Sequence, residues 1–171
     1  DTATGMLSLI ADPRVSIPAE AIGALQSVKY KARDGLVIQA ILTWPPGRQG
    51  EQNLPSIILP PGGPHAYDQM GFDWMAQFFA NRGYLVMQPN FRGSSGFGAD
   101  FKEQGYGEWG GSMQNDLTDG VNALIKNKFA DPSRICIAGA SYGGYAALAG
   151  GAYTPELYKC VIAISPISDL N

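Results

Sequence analysis

With 171 residues, 45% of them hydrophobic and 16% charged, the chain is long enough for one globular unit with a buried core. Its formal net charge of -3 and its lack of a basic block interleaved with aromatics argue against nucleic acid as a partner. No apolar run reaches the roughly 18 residues of a membrane-spanning helix, so no membrane partner is expected.

In chain order, residues 1–25 are weakly periodic and read as a lead-in segment, with the folded unit expected over 26–171. Asp1 is not a methionine, which suggests a processed or excised piece; the cytoplasm is the favoured compartment, with the periplasm as the alternative. Ser27–Ala32 and Leu36–Thr43 flank Arg33-Asp34-Gly35, where Asp-Gly predicts a hairpin. Ser56–Leu59 is a short apolar strand running into Pro60-Pro61-Gly62-Gly63-Pro64. A helix over Phe72–Arg82 closes at Gly83, and Tyr84–Gln88 is the next buried strand. Phe91–Gly111 is a long glycine-rich loop.

Ser112 is expected to cap a helix carrying Met113, Leu117, Val121, Leu124 and Ile125 at helical spacing. Asp116 early in it and Lys126 late suit the helix dipole. A strand over 134–138, a helix over 142–152 and a last strand at Cys160–Ile164 complete the pattern. A hairpin followed by helices alternating with continuous apolar strands predicts an α/β fold, a mostly parallel sheet with helices on both faces. Cys136 and Cys160 both fall in apolar strand patterns, so buried free thiols are expected.

The chemistry concentrates at Gly139-Ala140-Ser141-Tyr142-Gly143, a G-x-S-x-G pattern with a strand before it and a helix after it. That context is what a nucleophile elbow requires, and the flanking glycines let strand and helix approach without a Cβ clash. The bland alternative is a tight turn that contains a serine. Gly62-Gly63 sits at the end of another strand, where ligand chemistry collects in parallel sheets.

Four separated motifs carry a resemblance: Pro61-Gly62-Gly63-Pro64, Asn90 to Gly98, Glu108-Trp109-Gly110, and Gly139 to Tyr145. From about Val28 to Asn171 the chain resembles the catalytic domain of the prolyl oligopeptidase family of serine peptidases, near its acylaminoacyl and dipeptidyl peptidase branches. The resemblance implies the amino-terminal part of an α/β-hydrolase domain, truncated before its last strands. It implies Ser141 as nucleophile, the backbone amides of Tyr142 and Gly63 as the oxyanion hole, and peptide as substrate. The family's usual His-Gly-Gly-Pro is altered here, with Pro61 in the histidine's place.

In this fold the acid and base follow the serine, so both are expected beyond Asn171. The sole histidine, His65, lies in the oxyanion loop and reads as a solvated residue rather than a base. Asp169 comes too early for the triad acid and is expected to cap the following segment. Arg92 and Glu108 suit local structure better than ligand binding, while Phe97, Tyr106 and Trp109 suit pocket lining and loop anchoring equally. No metal-binding cluster and no P-loop pattern occur, so no cofactor and no metal are expected. Competing functions are a carboxylesterase or lipase on the same fold, and a non-catalytic fragment. The fragment would self-associate or pair with the carboxy-terminal half through an open edge.

Overall fold

The computed structural model describes residues 16–169. Its strands are β1 (Leu25–Lys31), β2 (Val37–Thr43), β3 (Leu54–Ile58), β4 (Leu85–Asn90), β5 (Ala130–Ala140) and β6 (Cys160–Ile164). The helices are α1 (Trp74–Asn81), the short α2 (Ala99–Glu103), α3 (Ser112–Lys126) and α4 (Tyr142–Tyr153). Residues 1–15 of the expected lead-in lie outside the described residues; of the rest, Ala19–Ala21 form one turn of 3-10 helix.

The sheet order is β1-β2-β4-β3-β5-β6. The pairs β1/β2 and β2/β4 are antiparallel, while β4/β3, β3/β5 and β5/β6 are parallel. The hairpin forms as expected, with Gly35 at φ 91° and the Leu36 amide donating to the Asp34 carboxylate. The alternation of pleated side chains then splits the core between two faces. Ile57, Val86 and Ala138 pack under Ala76 and Ala80 of α1. Ile58, Met87, Ile135 and Ile137 pack with Val121 and Leu124 of α3 and Ala147 of α4.

Several elements depart from expectation for identifiable reasons. β4 runs through Pro89 to Asn90, held on its β2 side by Gln39↔Asn90. On the β3 side the Leu59 amide gives a bond to the Met87 carbonyl, and Pro89, lacking an N–H, cannot return one. β3 therefore separates from β4 there, and the chain leaves the sheet at Pro60. β5 begins earlier than read, because a bulge against β3 absorbs the Asp131–Arg134 stretch. There the Asp131 carboxylate holds the Ser133 amide and hydroxyl and the Arg134 guanidinium.

The two cysteines are not free. Cys136 and Cys160 are register partners on β5 and β6, with Cα atoms 4.7 Å apart, and form a disulfide. Apolar flanks could not reveal this, since only the parallel register sets the two side by side.

Ser112 is not a cap either. It is the first residue of α3, its amide donates to the Glu108 carboxylate at 2.9 Å, and that contact holds the Glu108 carboxyl below its usual range. Gly83 does close α1, at φ 89°, with Asp73 capping the other end by accepting from the Ala76 amide.

Candidate active site

β3 and β5 are neighbours, so their carboxyl ends bring Gly62-Gly63 and Ser141 together. Ser141 sits on the elbow between β5 and α4 at φ 56°, ψ -120°, a left-handed conformation costly for a side chain. Its amide donates to the Ile164 carbonyl of β6, its carbonyl accepts from Tyr145, and its side chain faces solvent. A Cβ on Gly139 would collide with the Gly143 backbone, and one on Gly143 with the Pro60 carbonyl. The elbow closes only because both positions lack one.

The loop after β3 leans on this turn. A Cβ on Gly62 would stand 4.0 Å from the Ser141 Cβ, so the loop backbone lies directly over the serine. Serine and loop share a cleft of about 240 Å³, whose lining also includes Asp68, Asp73 and the exposed Trp74. Burial, and then the neighbouring charge of Asp73, push the Asp68 carboxyl up to about 6, against a hydrogen bond from Gln88 that pulls it down. Asp68 is fixed by its backbone, which exchanges two hydrogen bonds with the buried Asn90 side chain at 2.7 and 2.9 Å. Neither carboxylate was singled out from sequence, where nothing marks loop residues that converge on a serine far along the chain.

Beneath the elbow, Tyr142 is buried among Phe91, Met113, Leu117 and Ala146. Trp109 stacks edge-on against it at 4.8 Å and also meets Tyr145, so this tryptophan anchors the loop. Phe97 packs on Tyr67 and Phe101, and Tyr106 lies against His65. Arg92 binds carboxylates rather than local carbonyls. It is 6% exposed, forms two side-chain bonds to Asp116 at 2.9 and 2.7 Å, and reaches Asp34 at 2.7 Å. Asp116, 0% exposed, thus serves this pair rather than the helix dipole. Its hydrogen bonds raise the already high Arg92 pKa.

His65 is half-buried, not solvated: its Nδ1 lies 2.8 Å from the Gly93 carbonyl. A carbonyl only accepts, so Nδ1 carries the proton. Asp169 lies past β6, at the last described position.

An exposed serine on such an elbow, beneath a glycine loop from the adjacent strand end, is the arrangement of α/β-hydrolase-fold enzymes. The model of the prolyl oligopeptidase family matches residues 70–171. Dipeptidyl aminopeptidase BIII of Pseudoxanthomonas mexicana is 36% identical over 177 aligned positions, covering 100% of this chain and 26% of that protein. Dipeptidyl peptidase family member 6 of Caenorhabditis elegans is 37% identical, covering 82% of this chain and 22% of its own length. The crystal structure of puromycin hydrolase superposes with a TM-score of 0.87 at 28% identity, over 99% of this chain and 26% of that one. The chain belongs to the prolyl oligopeptidase family, and it spans about a quarter of the length of these relatives.

Proposed function

We propose that this chain carries the nucleophile and oxyanion hole of a serine peptidase that cleaves short peptides through an acyl-enzyme at Ser141. The observation that carries this reading is the exposed Ser141 at φ 56° with Gly62 poised over it. The serine Oγ attacks the scissile carbonyl. The amide of Tyr142, one of the first-turn N–H groups a helix leaves without an internal acceptor, donates to the developing oxyanion. The Gly63 amide supplies the second donor. A histidine base and an aspartate orienter are assigned to polypeptide beyond Asn171, since in this fold both follow the serine along the chain. Relatives named as dipeptidyl aminopeptidases and acylamino-acid-releasing enzyme point to short peptides as the substrate class.

Labelling with a fluorophosphonate probe tests this reading, on the chain alone and on the polypeptide extended through the rest of the domain. Labelling of the extended form only, lost in Ser141→Ala, is expected; labelling of neither sinks the reading. Without base and orienter, turnover by the chain alone falls by roughly four to six orders of magnitude. A panel of aminoacyl and acyl-peptide substrates against simple p-nitrophenyl esters favours the peptides; faster turnover of the esters makes the enzyme an esterase. We also propose that β6 pairs with the carboxy-terminal half of the domain or, lacking it, with another copy of the chain.

A further inference from the structure

The loop that stands over Ser141 is poorly equipped to hold itself. Of residues 60–64, Pro60, Pro61 and Pro64 have no N–H to donate. Gly62 and Gly63 have the least restricted backbone of any residue type, and Gly63 sits at φ 132°. Pro61, immediately before the glycines, offers no side-chain donor. The ladder to β4 has already ended at Leu59. The Pro60 and Pro61 carbonyls rest against Gly143 of the elbow, which steadies the start of the loop; the hold on its far side, next to Gly63, has to come from beyond Pro64.

His65 is there, and it grips the loop after β4 in three ways. Its Nδ1–H donates to the Gly93 carbonyl at 2.8 Å, its own carbonyl accepts from the Ser95 amide at 3.1 Å, and its ring meets Tyr106 edge-to-face at 5.5 Å. The post it grips is rigid. The Gly93 amide donates to the Phe101 carbonyl, and the preceding Arg92 is locked to Asp116 and Asp34. Gly93 itself, at φ 95°, is hemmed in by Met113 and Gly105.

We propose that His65 is the positioning residue of the oxyanion loop: its imidazole, clamped to the Gly93 carbonyl, sets where the Gly63 amide stands relative to Ser141. Only the ring-locked Pro64 separates the clamp from Gly63, so a displacement at residue 65 passes almost undiluted to the donor. The proposal rests on reading Ser141 as nucleophile and Gly63 as oxyanion donor.

The test is steady-state kinetics of the full-length polypeptide on a peptide substrate, with His65→Ala, His65→Asn and His65→Gln. Deleting an oxyanion donor outright costs about a hundred- to a thousandfold in kcat, so misplacing one should cost about ten- to a hundredfold. His65→Ala is expected to lower kcat by that factor with KM within about twofold. Affinity for a peptide aldehyde, whose hemiacetal oxyanion occupies the hole, should fall in parallel. His65→Asn places an amide donor near the Nδ1 position and should recover most of the loss; His65→Gln places it one bond further out and should not. Wild-type kcat in His65→Ala overturns the proposal. So does a loss in which kcat, KM and melting temperature shift together with no recovery in His65→Asn, because that is the mark of a general folding defect. Ser141→Ala run alongside separates the two readings: if it still turns over peptide, the nucleophile assignment has failed rather than the clamp.

Discussion

Gly139 and Gly143 show how closely the elbow depends on single residues. Alanine at 139 would drive its methyl into the Gly143 backbone, and neither segment can retreat, since β5 is held between β3 and β6. Gly139→Ala is expected to abolish fluorophosphonate labelling of the extended polypeptide. Gly71→Ala, where an added Cβ meets nothing within 4 Å, should leave labelling unchanged. Asp68 makes a different residue-scale prediction. Its folded pKa of about 6 lies above the ordinary 3.8, so the folded state holds a proton that the unfolded chain has released. The associated stability is fully present below about pH 4 and is lost as pH rises through about 6. A two-unit shift corresponds to about 2.7 kcal/mol, and partial solvent access reduces the expected loss to about 1–2 kcal/mol. Denaturant melts at pH 4 and pH 7 should show that loss in the parent and not in Asp68→Asn; equal pH dependence in both would refute it.

Between elements, the main polar tie is Arg92, which joins the loop after β4 to α3 through Asp116 and to the β1–β2 hairpin turn through Asp34. Removing Arg92 leaves the buried Asp116 carboxylate unpaired, and breaking such a pair costs about 3–5 kcal/mol. Arg92→Met should therefore destabilise the fold by that amount, with Arg92→Met/Asp116→Leu recovering most of it; a double variant as unstable as the single one would contradict this. This tie also marks where sequence reading stops. The hairpin, α1 with its Gly83 terminus, and α3 were legible because turn residues and helical spacing are local signals. The strand-end placement of Ser141 and Gly62-Gly63 was legible because both motifs lie within a few residues of an apolar strand pattern. The disulfide, the Arg92–Asp116 pair and the His65 clamp were not, because each joins residues 24 or 28 positions apart. Sheet register and loop packing alone decide such contacts. Asp116 illustrates the point: its position in α3 suggested a dipole role, and burial beside an arginine from another loop gave it a different one.

At the scale of the whole molecule, the sheet is finished on one side of the site and bare on the other. β3 and β4 are buried almost throughout, whereas β6 is exposed along its length. Neighbouring strand residues face opposite sides, and Val161 and Ile162 are equally exposed at 39%, so α4 covers one face of β6 only in part while the other face and the outer edge stand open. An apolar edge of this kind recruits another strand. Because β6 also accepts the Ser141 amide through Ile164, a segment that covers it should steady the Ser141 turn too. Ile162 and Ile164 lie on the face of β6 away from α4, since Val161 packs against Gly151 of that helix. Ile162→Lys/Ile164→Lys should therefore act in opposite directions in two settings. In the chain alone it should replace concentration-dependent association by a monomer in sedimentation velocity. In the extended polypeptide, where the same side chains would be buried, it should lower the melting temperature and slow fluorophosphonate labelling. A chain that is already monomeric at high concentration would refute the first expectation. An extended polypeptide that tolerates both lysines would place the covering segment elsewhere than on β6.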